Sequence, residues 1–192
     1  MNDHSHGYER IAGRFIRARD TWIGSAVVRA WSQEFARGAE VLELGCGHGV
    51  ISQVLMDAGL TLSAIDASPS LLAAFRLRFP GVETECAAAE ESDFFGRTFD
   101  GVVSVGMLFL LEEEAQRTVL QKAAQALRPS GRLLFTAPRE VCEWTDILAR
   151  EQSRSLGAAA YEKLLRDGGL EVSSGVTDEG ENHYFFATKP TA

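Results

Sequence analysis

Short apolar runs alternate with longer segments of mixed polarity along most of this 192-residue chain. Runs of about four to eight mostly apolar residues predict buried strands, and apolar positions three or four apart predict helices that pack on one side. The predicted strands cover residues 40–44, 60–65, 82–86, 99–105, 132–136, 170–177 and 184–188. The predicted helices cover residues 7–35, with a candidate break near 21–25, then 50–58, 69–79, 112–127 and 158–167.

The order of these elements predicts the fold class. Strands and helices alternate, which is typical of an α/β fold with a mostly parallel sheet and helices on both faces. The last two of the seven strands differ, because only residues 178–183 separate them and they must form an antiparallel hairpin. No repeat or long linker interrupts the chain, so we expect one domain, with residues 1–36 as a helical cap and residues 37–190 as the core.

The segment VLELGCGHGV, residues 41–50, joins an apolar strand to a helix through Gly45, Gly47 and Gly49. Glycine permits positive φ and has no Cβ, so a ligand can approach the backbone closely. The free N–H groups at the start of the helix favour an anionic or electron-rich ligand. The turn therefore predicts a nucleotide-like cofactor site, and a glycine turn without a ligand is the alternative.

The glycine spacing argues against two common nucleotide sites. The dinucleotide pattern G-x-G-x-x-G needs its third glycine at Val50, whereas the third glycine here is Gly49. A P-loop is excluded because no Lys-Ser/Thr pair follows. An NAD-linked oxidoreductase on the same kind of sheet thus remains an alternative that the spacing opposes.

The second predicted strand ends in a carboxylate, Asp66, which lies 17 residues after Gly49. An acidic residue ~20 residues beyond such glycines commonly accepts hydrogen bonds from ribose hydroxyls. We predict this role for Asp66. A turn or capping role is the alternative, because Ser68 and Pro69 begin the next helix, and the two roles are compatible.

The glycine turn resembles the first motif of the class I S-adenosylmethionine-dependent methyltransferases. That motif is roughly (E/D)-x-G-x-G-x-G, and Glu43, Gly45, Gly47 and Gly49 match it position by position. A parallel sheet that ends in an antiparallel strand is also similar to the family's strand order 3-2-1-4-5-7-6. The resemblance covers residues 40–189. The series FD…LRPSGRLL within residues 99–134 also looks like the small-molecule branch of this family.

The resemblance implies S-adenosylmethionine as cofactor, S-adenosylhomocysteine as product and a small-molecule acceptor. In many relatives an aspartate binds the adenine amino group, but Ala88 stands at that position here, which leaves the Ala89 N–H and the Glu90 carboxylate as candidates. Relatives also cover the cofactor with an N-terminal helix. The candidate cofactor residues are Glu43, Gly45, Cys46, Gly47, Gly49, Asp66, Ala67, Ala89, Glu90, Val105, Gly106 and Tyr8.

The acceptor is expected at the carboxyl ends of the strands, where ligands of open α/β sheets bind. Transfer from a sulfonium mainly requires positioning, and a general base is needed only if the acceptor loses a proton. His183 is the first candidate base, followed by Asp146 and Tyr184, although His183 could instead only shape the rim. The candidate substrate residues are Arg14, Met107, Phe109, Trp144 and Asn182.

The overall charge narrows the range of partners. A net charge of −8 without a basic face argues against nucleic acid. Arg10, Arg14, Arg17 and Arg19 share one face of the first helix, which we interpret as solvated, with an anion-binding patch as the alternative. His4 and His6 lie in a tail that we expect to be disordered.

The remaining composition predicts the compartment. The three cysteines lack metal-ligand spacing, so no metal is predicted and a reducing compartment fits. No N-terminal signal and no apolar run of ~18 residues is present. We therefore expect a cytoplasmic monomer or homodimer without membrane attachment. A catalytically silent S-adenosylmethionine-binding module stays open, because fold does not determine function.

Overall fold

The computed structural model describes residues 3–18 and 24–191. The strands are β1 (Glu40–Leu44), β2 (Thr61–Asp66), β3 (Glu83–Cys86), β4 (Phe99–Ser104), β5 (Leu127–Thr136), β6 (Val141–Thr145), β7 (Gln152–Leu156), β8 (Glu171–Thr177) and β9 (His183–Thr188). The helices are α1 (Tyr8–Ala18), α2 (Ser25–Ser32), α3 (Val50–Asp57), α4 (Pro69–Arg78), α5 (Glu113–Ala126) and α6 (Ala158–Asp167).

A seven-stranded sheet forms the centre of the molecule, with the order β3-β2-β1-β4-β5-β9-β8. β1 to β5 pair in parallel, and β9 runs antiparallel to both β5 and β8. The predicted α/β fold and strand order are therefore confirmed, with the predicted strands 6 and 7 corresponding to β8 and β9.

The sheet is buried on both faces, which explains why its central strands are continuously apolar. Val41 of β1 faces a cluster that includes Trp31 of α2 and Phe75 of α4. Leu42, the next residue, faces the opposite cluster, which includes Tyr161 of α6. The sheet thus fixes the positions of the loops at its carboxyl edge.

The segment between β5 and α6, predicted as a loop, contains the antiparallel hairpin β6–β7. The carboxylate of Asp146 shapes its turn, because Oδ1 accepts hydrogen bonds from the backbone N–H groups of Leu148 at 2.9 Å and Ala149 at 2.6 Å. The hairpin was missed because each strand has only five residues and no glycine turn links them.

The N-terminal region also differs from expectation. The predicted disorder at His4 and His6 is wrong for residues 3–7, where the Asp3 carboxylate accepts hydrogen bonds from the backbone N–H groups of Ser5 and Gly7. The predicted long helix is two helices, and its expected break, together with Arg19, lies mostly outside the described residues. Within the described parts of the chain, no helix has the length and apolarity needed to cross a membrane.

Candidate active site

A cavity of about 220 Å³ opens at the carboxyl edge of the sheet. It is lined by most of the residues predicted from the sequence. These are Tyr8, Glu43, Gly45, Cys46, Gly47, Asp66, Ala67, Ala89, Glu90, Val105, Gly106, Met107, Phe109, Asp146, Asn182 and Tyr184. The predicted residues Gly49, Arg14, Trp144 and His183 do not line it.

The strand order divides this cavity into two sides. Residues at the ends of β1, β2 and β3 and just after them form the glycine-turn side, which comprises the lining residues 43, 45–48, 50, 66–67 and 87–90. The hairpin side comprises Tyr8, Asp146, Asn182 and Tyr184, which come from α1, the β6–β7 turn and the β8–β9 hairpin. The residues after β4, including Met107 and Phe109, lie between the two sides because β4 is the central strand.

The glycine turn has positive φ at Gly45 (75°), Gly47 (54°) and Gly49 (89°). A Cβ on Gly49 would lie 2.3 Å from a ring carbon of Phe79, so this glycine is required for packing between α3 and α4. Gly47 instead lines the cavity, and a Cβ there would meet nothing closer than 3.7 Å. Gly49 is thus needed for packing, whereas the backbone at Gly47 faces the cavity.

Asp66 holds the glycine turn in place. Its Oδ2 accepts a hydrogen bond of 2.7 Å from the Gly47 N–H, and its Oδ1 accepts one of 2.8 Å from the Ser68 N–H. These bonds confirm the turn role that the sequence left as an alternative. Burial raises the pKa of Asp66, and the two hydrogen bonds partly oppose this shift. A carboxylate has about four acceptor positions, so roughly two remain for a ligand.

Glu43 is the most buried carboxylate of the glycine-turn side, with 3% of its surface exposed. Ser52 Oγ donates a hydrogen bond of 2.5 Å to Glu43 Oε2. Burial, assisted by the negative charge of Asp66, raises the pKa of Glu43 to about 8. Burial likewise raises the pKa of the neighbouring Cys46 thiol, which disfavours a nucleophilic thiolate there.

The loop after β3 contains Ala88, the residue that stands in place of the aspartate found in many relatives. Ala88 and Ala89 are buried and line the cavity. Glu90 Oε2 is buried without a hydrogen-bond partner among the described residues, so the loop offers a carboxylate oxygen to a donor in the cavity. Gly106 has a φ of 78° and no atom within 4 Å of its Cβ position, which leaves its backbone accessible. These features fit a nucleoside-like group.

The N-terminal tail contributes residues that the sequence did not predict for the site. His4, Ser5 and His6 line the cavity, and His4 Nδ1 lies 3.7 Å from a carboxylate oxygen of Glu91. Desolvation lowers the pKa of His6, and the nearby carboxylates, of which Glu90 has the largest effect, oppose only part of this shift. No periodicity or motif in the tail indicates this position.

Asp146 lies on the hairpin side, with 8% of its surface exposed. Its Oδ2 is 3.5 Å from the hydroxyl oxygen of Tyr8, at the outer limit of a hydrogen bond. Beside this contact, the guanidinium of Arg10 donates a hydrogen bond of 2.6 Å to the carbonyl oxygen of Ala149. α1 and the β6–β7 turn therefore meet above the cavity.

Tyr184 is buried, and its hydroxyl donates a hydrogen bond of 2.9 Å to Asp178 Oδ2. Asp178 Oδ1 accepts a hydrogen bond of 2.9 Å from the Asn182 N–H and thereby shapes the β8–β9 turn. Burial acts to raise the pKa of Asp178, but hydrogen bonds from Asn182 and Tyr184 outweigh it, and the pKa lies below its usual value. Sequence reasoning missed Asp178, although a carboxylate at a hairpin turn is a usable signal.

The structure does not bring His183 to the cavity. It precedes Tyr184 on β9, so the two side chains point to opposite faces of the sheet. The His183 ring packs edge-on against Phe185 with centroids 4.8 Å apart, and its Nδ1 lies 3.2 Å from Thr177 Oγ1. Desolvation and the charge of Arg139 lower its pKa.

Two predicted substrate residues, Trp144 and Arg14, lie outside the cavity. Trp144 packs against Phe109 with ring centroids 5.4 Å apart and so supports a cavity residue from behind. Arg14 is exposed on α1. No cluster of His, Cys, Asp and Glu suited to a metal ion occurs in residues 3–18 and 24–191.

Comparison with known proteins shows which family this chain resembles. A family model described as a methyltransferase domain matches residues 41–131, which include the glycine turn, Asp66 and β4. Residues 41–131 are therefore similar to methyltransferase domains. It is 28% identical over 141 residues to a "Probable S-adenosylmethionine-dependent methyltransferase" of Mycolicibacterium smegmatis, covering 70% of this chain and 53% of that protein. It is 31% identical over 104 residues to a ubiquinone biosynthesis O-methyltransferase of Xylella fastidiosa, covering 52% of this chain and 42% of that protein.

The chain spans about half the length of the curated relatives it matches. Solved methyltransferases share its fold at low identity. The CcbJ methyltransferase from Streptomyces caelestis superposes with a TM-score of 0.79 at 16% identity, with complete coverage of both chains. The N-methyltransferase NodS from Bradyrhizobium japonicum, in complex with S-adenosylhomocysteine, gives a TM-score of 0.74 at 18% identity and covers 98% of this chain and 100% of its own.

Proposed function

We propose that this chain binds S-adenosylmethionine on the glycine-turn side and transfers its methyl group to a small molecule on the hairpin side. The observation that carries this proposal is that a single cavity is lined by Gly47 and Asp66 as well as by Asp146 and Tyr184. Donor and acceptor groups can therefore meet within one enclosed space. We also propose that residues 1–36 act as a cap over the core at 37–190, because Tyr8 lines the same cavity.

Several described residues suit the cofactor. The remaining acceptor positions of Asp66 suit ribose hydroxyls, and the unpartnered Glu90 oxygen suits the adenine amino group in place of the missing aspartate. The Glu43 carboxyl group suits the positive charge of S-adenosylmethionine, because a nearby cation favours its ionised form. When bound, S-adenosylmethionine supplies an electrophilic methyl group.

The chain's contribution to transfer is then mainly positional. Met107, Phe109 and Tyr8 form an apolar wall for the acceptor, and holding the reacting groups in line can contribute roughly 7–11 kcal/mol. Asp146 is our remaining candidate for a catalytic residue, because it is the predicted base that lines the cavity with a carboxylate. Tyr184 is a positioning residue, since its hydroxyl donates a hydrogen bond to Asp178.

Isothermal titration calorimetry tests the cofactor site. S-adenosylmethionine should bind the unmodified protein, and Asp66→Asn should weaken binding at least about tenfold because one ribose hydrogen bond to a charged acceptor is lost. Asp57→Asn, which removes an exposed carboxylate on α3, is the matched control and should bind normally. Thermal unfolding of both variants checks that the glycine turn stays folded. Binding of NAD without binding of S-adenosylmethionine would contradict the proposal.

The acceptor reaction needs a separate measurement. Formation of S-adenosylhomocysteine should rise above the background rate when suitable small molecules from a metabolite panel are added. Cofactor binding without turnover across a broad panel would instead favour a silent binding module.

A further inference from the structure

We infer that the acceptor is an amine that enters the cavity as a cation and is recognised by Asp146 and the aromatic rings of the cavity. This inference rests on the proposed function and deepens it by naming the class of acceptor.

The charges that line the cavity are unbalanced. Among the described residues, its carboxyl groups are Glu43, Asp66, Glu90 and Asp146, and no lysine or arginine lines it. Glu43, whose pKa is raised to about 8, mostly keeps its proton at neutral pH. His4, His6 and His48 also line the cavity. The first three carboxyl groups belong to the glycine-turn side, so Asp146 is the carboxylate of the hairpin side. Because a carboxylate repels another anion at close range, this lining disfavours phosphorylated or carboxylated acceptors.

Asp146 is buried without a cationic partner. Only 8% of its surface is exposed, and no ion pair within residues 3–18 and 24–191 includes it. The nearby Arg10 is engaged by the Ala149 carbonyl oxygen and by Glu151. The two backbone hydrogen bonds to Asp146 go to Oδ1, so among the described residues Oδ2 has only the 3.5 Å contact with Tyr8. Since a buried charge is costly unless paired, a cation beside Oδ2 would complete the site.

One aromatic residue stands beside this carboxylate, because the Tyr8 hydroxyl lies 3.5 Å from Asp146 Oδ2. Tyr8 packs edge-on against Phe15 with centroids 5.1 Å apart, and both line the cavity together with Phe109 and Tyr184. Ring faces attract cations, and combinations of aromatic rings with a carboxylate are used to recognise ammonium groups. The hairpin side therefore matches an ammonium better than a neutral alcohol, which would gain only one hydrogen bond.

Methyl transfer to such an amine does not require a strong base. The bound ammonium loses one proton to solvent through Asp146, and the freed nitrogen lone pair forms the N–C bond while the S–C bond breaks. The electron pair of that bond stays on sulfur, which becomes a neutral thioether. The product is a methylated ammonium, and one proton is released in each cycle.

The test compares an amine, an alcohol and a carboxylate on the same aromatic ring: 2-phenylethylamine, 2-phenylethanol and phenylacetate. A second set has the same three functional groups on an indole ring. Binding to the protein saturated with S-adenosylhomocysteine is followed by ligand-observed NMR, and turnover by release of S-adenosylhomocysteine from S-adenosylmethionine. The amines should bind at least about tenfold more tightly than the alcohols, and the carboxylates should not compete.

Two variants separate Asp146 from charge in general. Asp146→Asn keeps an oxygen for the Leu148 and Ala149 N–H groups but removes the charge, so amine affinity should fall at least about tenfold while alcohol affinity and S-adenosylhomocysteine affinity stay the same. Glu151→Gln removes a charge from the same turn outside the cavity and should leave the amine preference intact. Melting temperatures close to that of the unmodified protein confirm that both variants are folded.

Each result has a distinct meaning. If alcohols or carboxylates bind as tightly as amines, if no amine binds, or if Asp146→Asn retains the amine preference, the amine inference is wrong. Calorimetric binding of S-adenosylmethionine is measured on the same samples. Its absence would overturn the proposed function, whereas its presence without an amine preference would overturn only the identity of the acceptor.

Discussion

The glycine-turn side and the hairpin side of the cavity are built by different means. On the glycine-turn side, backbone bonds join adjacent parallel strands: the N–H groups of Gly45 and Cys46 both donate to the Ile65 carbonyl oxygen, at 2.8 and 3.1 Å. On the hairpin side, side chains join segments 138 or more residues apart in sequence, through Tyr8 with Asp146 and Arg10 with the Ala149 carbonyl oxygen.

This difference predicts that the glycine-turn side tolerates fewer substitutions than the hairpin side. Changing the glycine turn disturbs the ends of β1 and β2 and therefore the core of the sheet. Changing the contacts between α1 and the β6–β7 turn should leave the sheet intact but alter the walls of the hairpin side. We expect substitutions on the first side to affect folding and cofactor binding, and those on the second side to affect acceptor binding.

The largest effect on folding is expected for Gly49→Ala. The residue has a φ of 89°, and its new Cβ would lie 2.3 Å from the Phe79 ring, so strain and overpacking add to a loss of roughly 2–5 kcal/mol in the free energy of unfolding. Gly38→Ala is the matched control, because φ is 84° and no atom lies within 4 Å of its Cβ position. It should cost about 1–2 kcal/mol. Equal losses in urea unfolding would show that Phe79 packing does not require Gly49.

The glycine turn and the position of Asp66 could be predicted from the sequence because their signals are local. The spacing of Gly45, Gly47 and Gly49 identified a turn at the end of a buried strand, and the carboxylate that ends β2 came next in sequence. The parallel sheet then brings consecutive strand ends together. Glycine spacing does not distinguish packing from ligand contact, so Gly49 was expected in the cavity and instead packs against Phe79.

The hairpin side could be predicted only in part. Strand alternation shows that His183 and Tyr184 point to opposite faces, but not which face meets the cavity. That choice depends on the pairing of Thr136 with Tyr184 in the structure. Likewise, nothing in the composition of residues 3–7 reveals that they lie against Glu90 and Glu91, because this contact depends on the path of α1 across the sheet edge.

Glu43→Gln tests the buried charge of the glycine-turn side. In the folded protein the pKa of Glu43 is about 8, against an ordinary value of 4.5. Between these values the folded state keeps a proton that the unfolded state has lost, so the free energy of unfolding falls as pH rises. Glutamine stays neutral, and the variant should therefore be more stable than the unmodified protein by about 4 kcal/mol near pH 8, with little difference near pH 4.

Urea unfolding across this pH range measures the effect of Glu43→Gln. Glu114→Gln, an exposed position on α5, should leave the pH dependence of stability unchanged. A constant difference in stability at every pH would mean that the charge of Glu43 is not the cause.

Trp144→Leu tests the packing that supports the hairpin side. Loss of the contact with the Phe109 ring should lower the free energy of unfolding by about 1 kcal/mol and weaken acceptor binding, because Phe109 loses its support. Cofactor affinity measured by calorimetry should not change. Val141→Ala, at an exposed position of the same strand, is the control and should change neither quantity. A parallel loss of cofactor affinity would show that the two sides of the cavity are coupled.

Arg10→Gln should have the smallest effect on overall stability and a clear local effect. The Arg10 side chain is 59% exposed, so loss of its contact with Glu151 should cost less than about 1 kcal/mol. Its hydrogen bond to the Ala149 carbonyl oxygen nevertheless joins α1 to the β6–β7 turn. Amide hydrogen exchange should therefore accelerate in residues 8–18 and 146–151 but not in β1. Arg14→Gln, on the exposed surface of α1, should leave exchange unchanged. Unchanged exchange in Arg10→Gln would mean that other contacts hold the cap over the cavity.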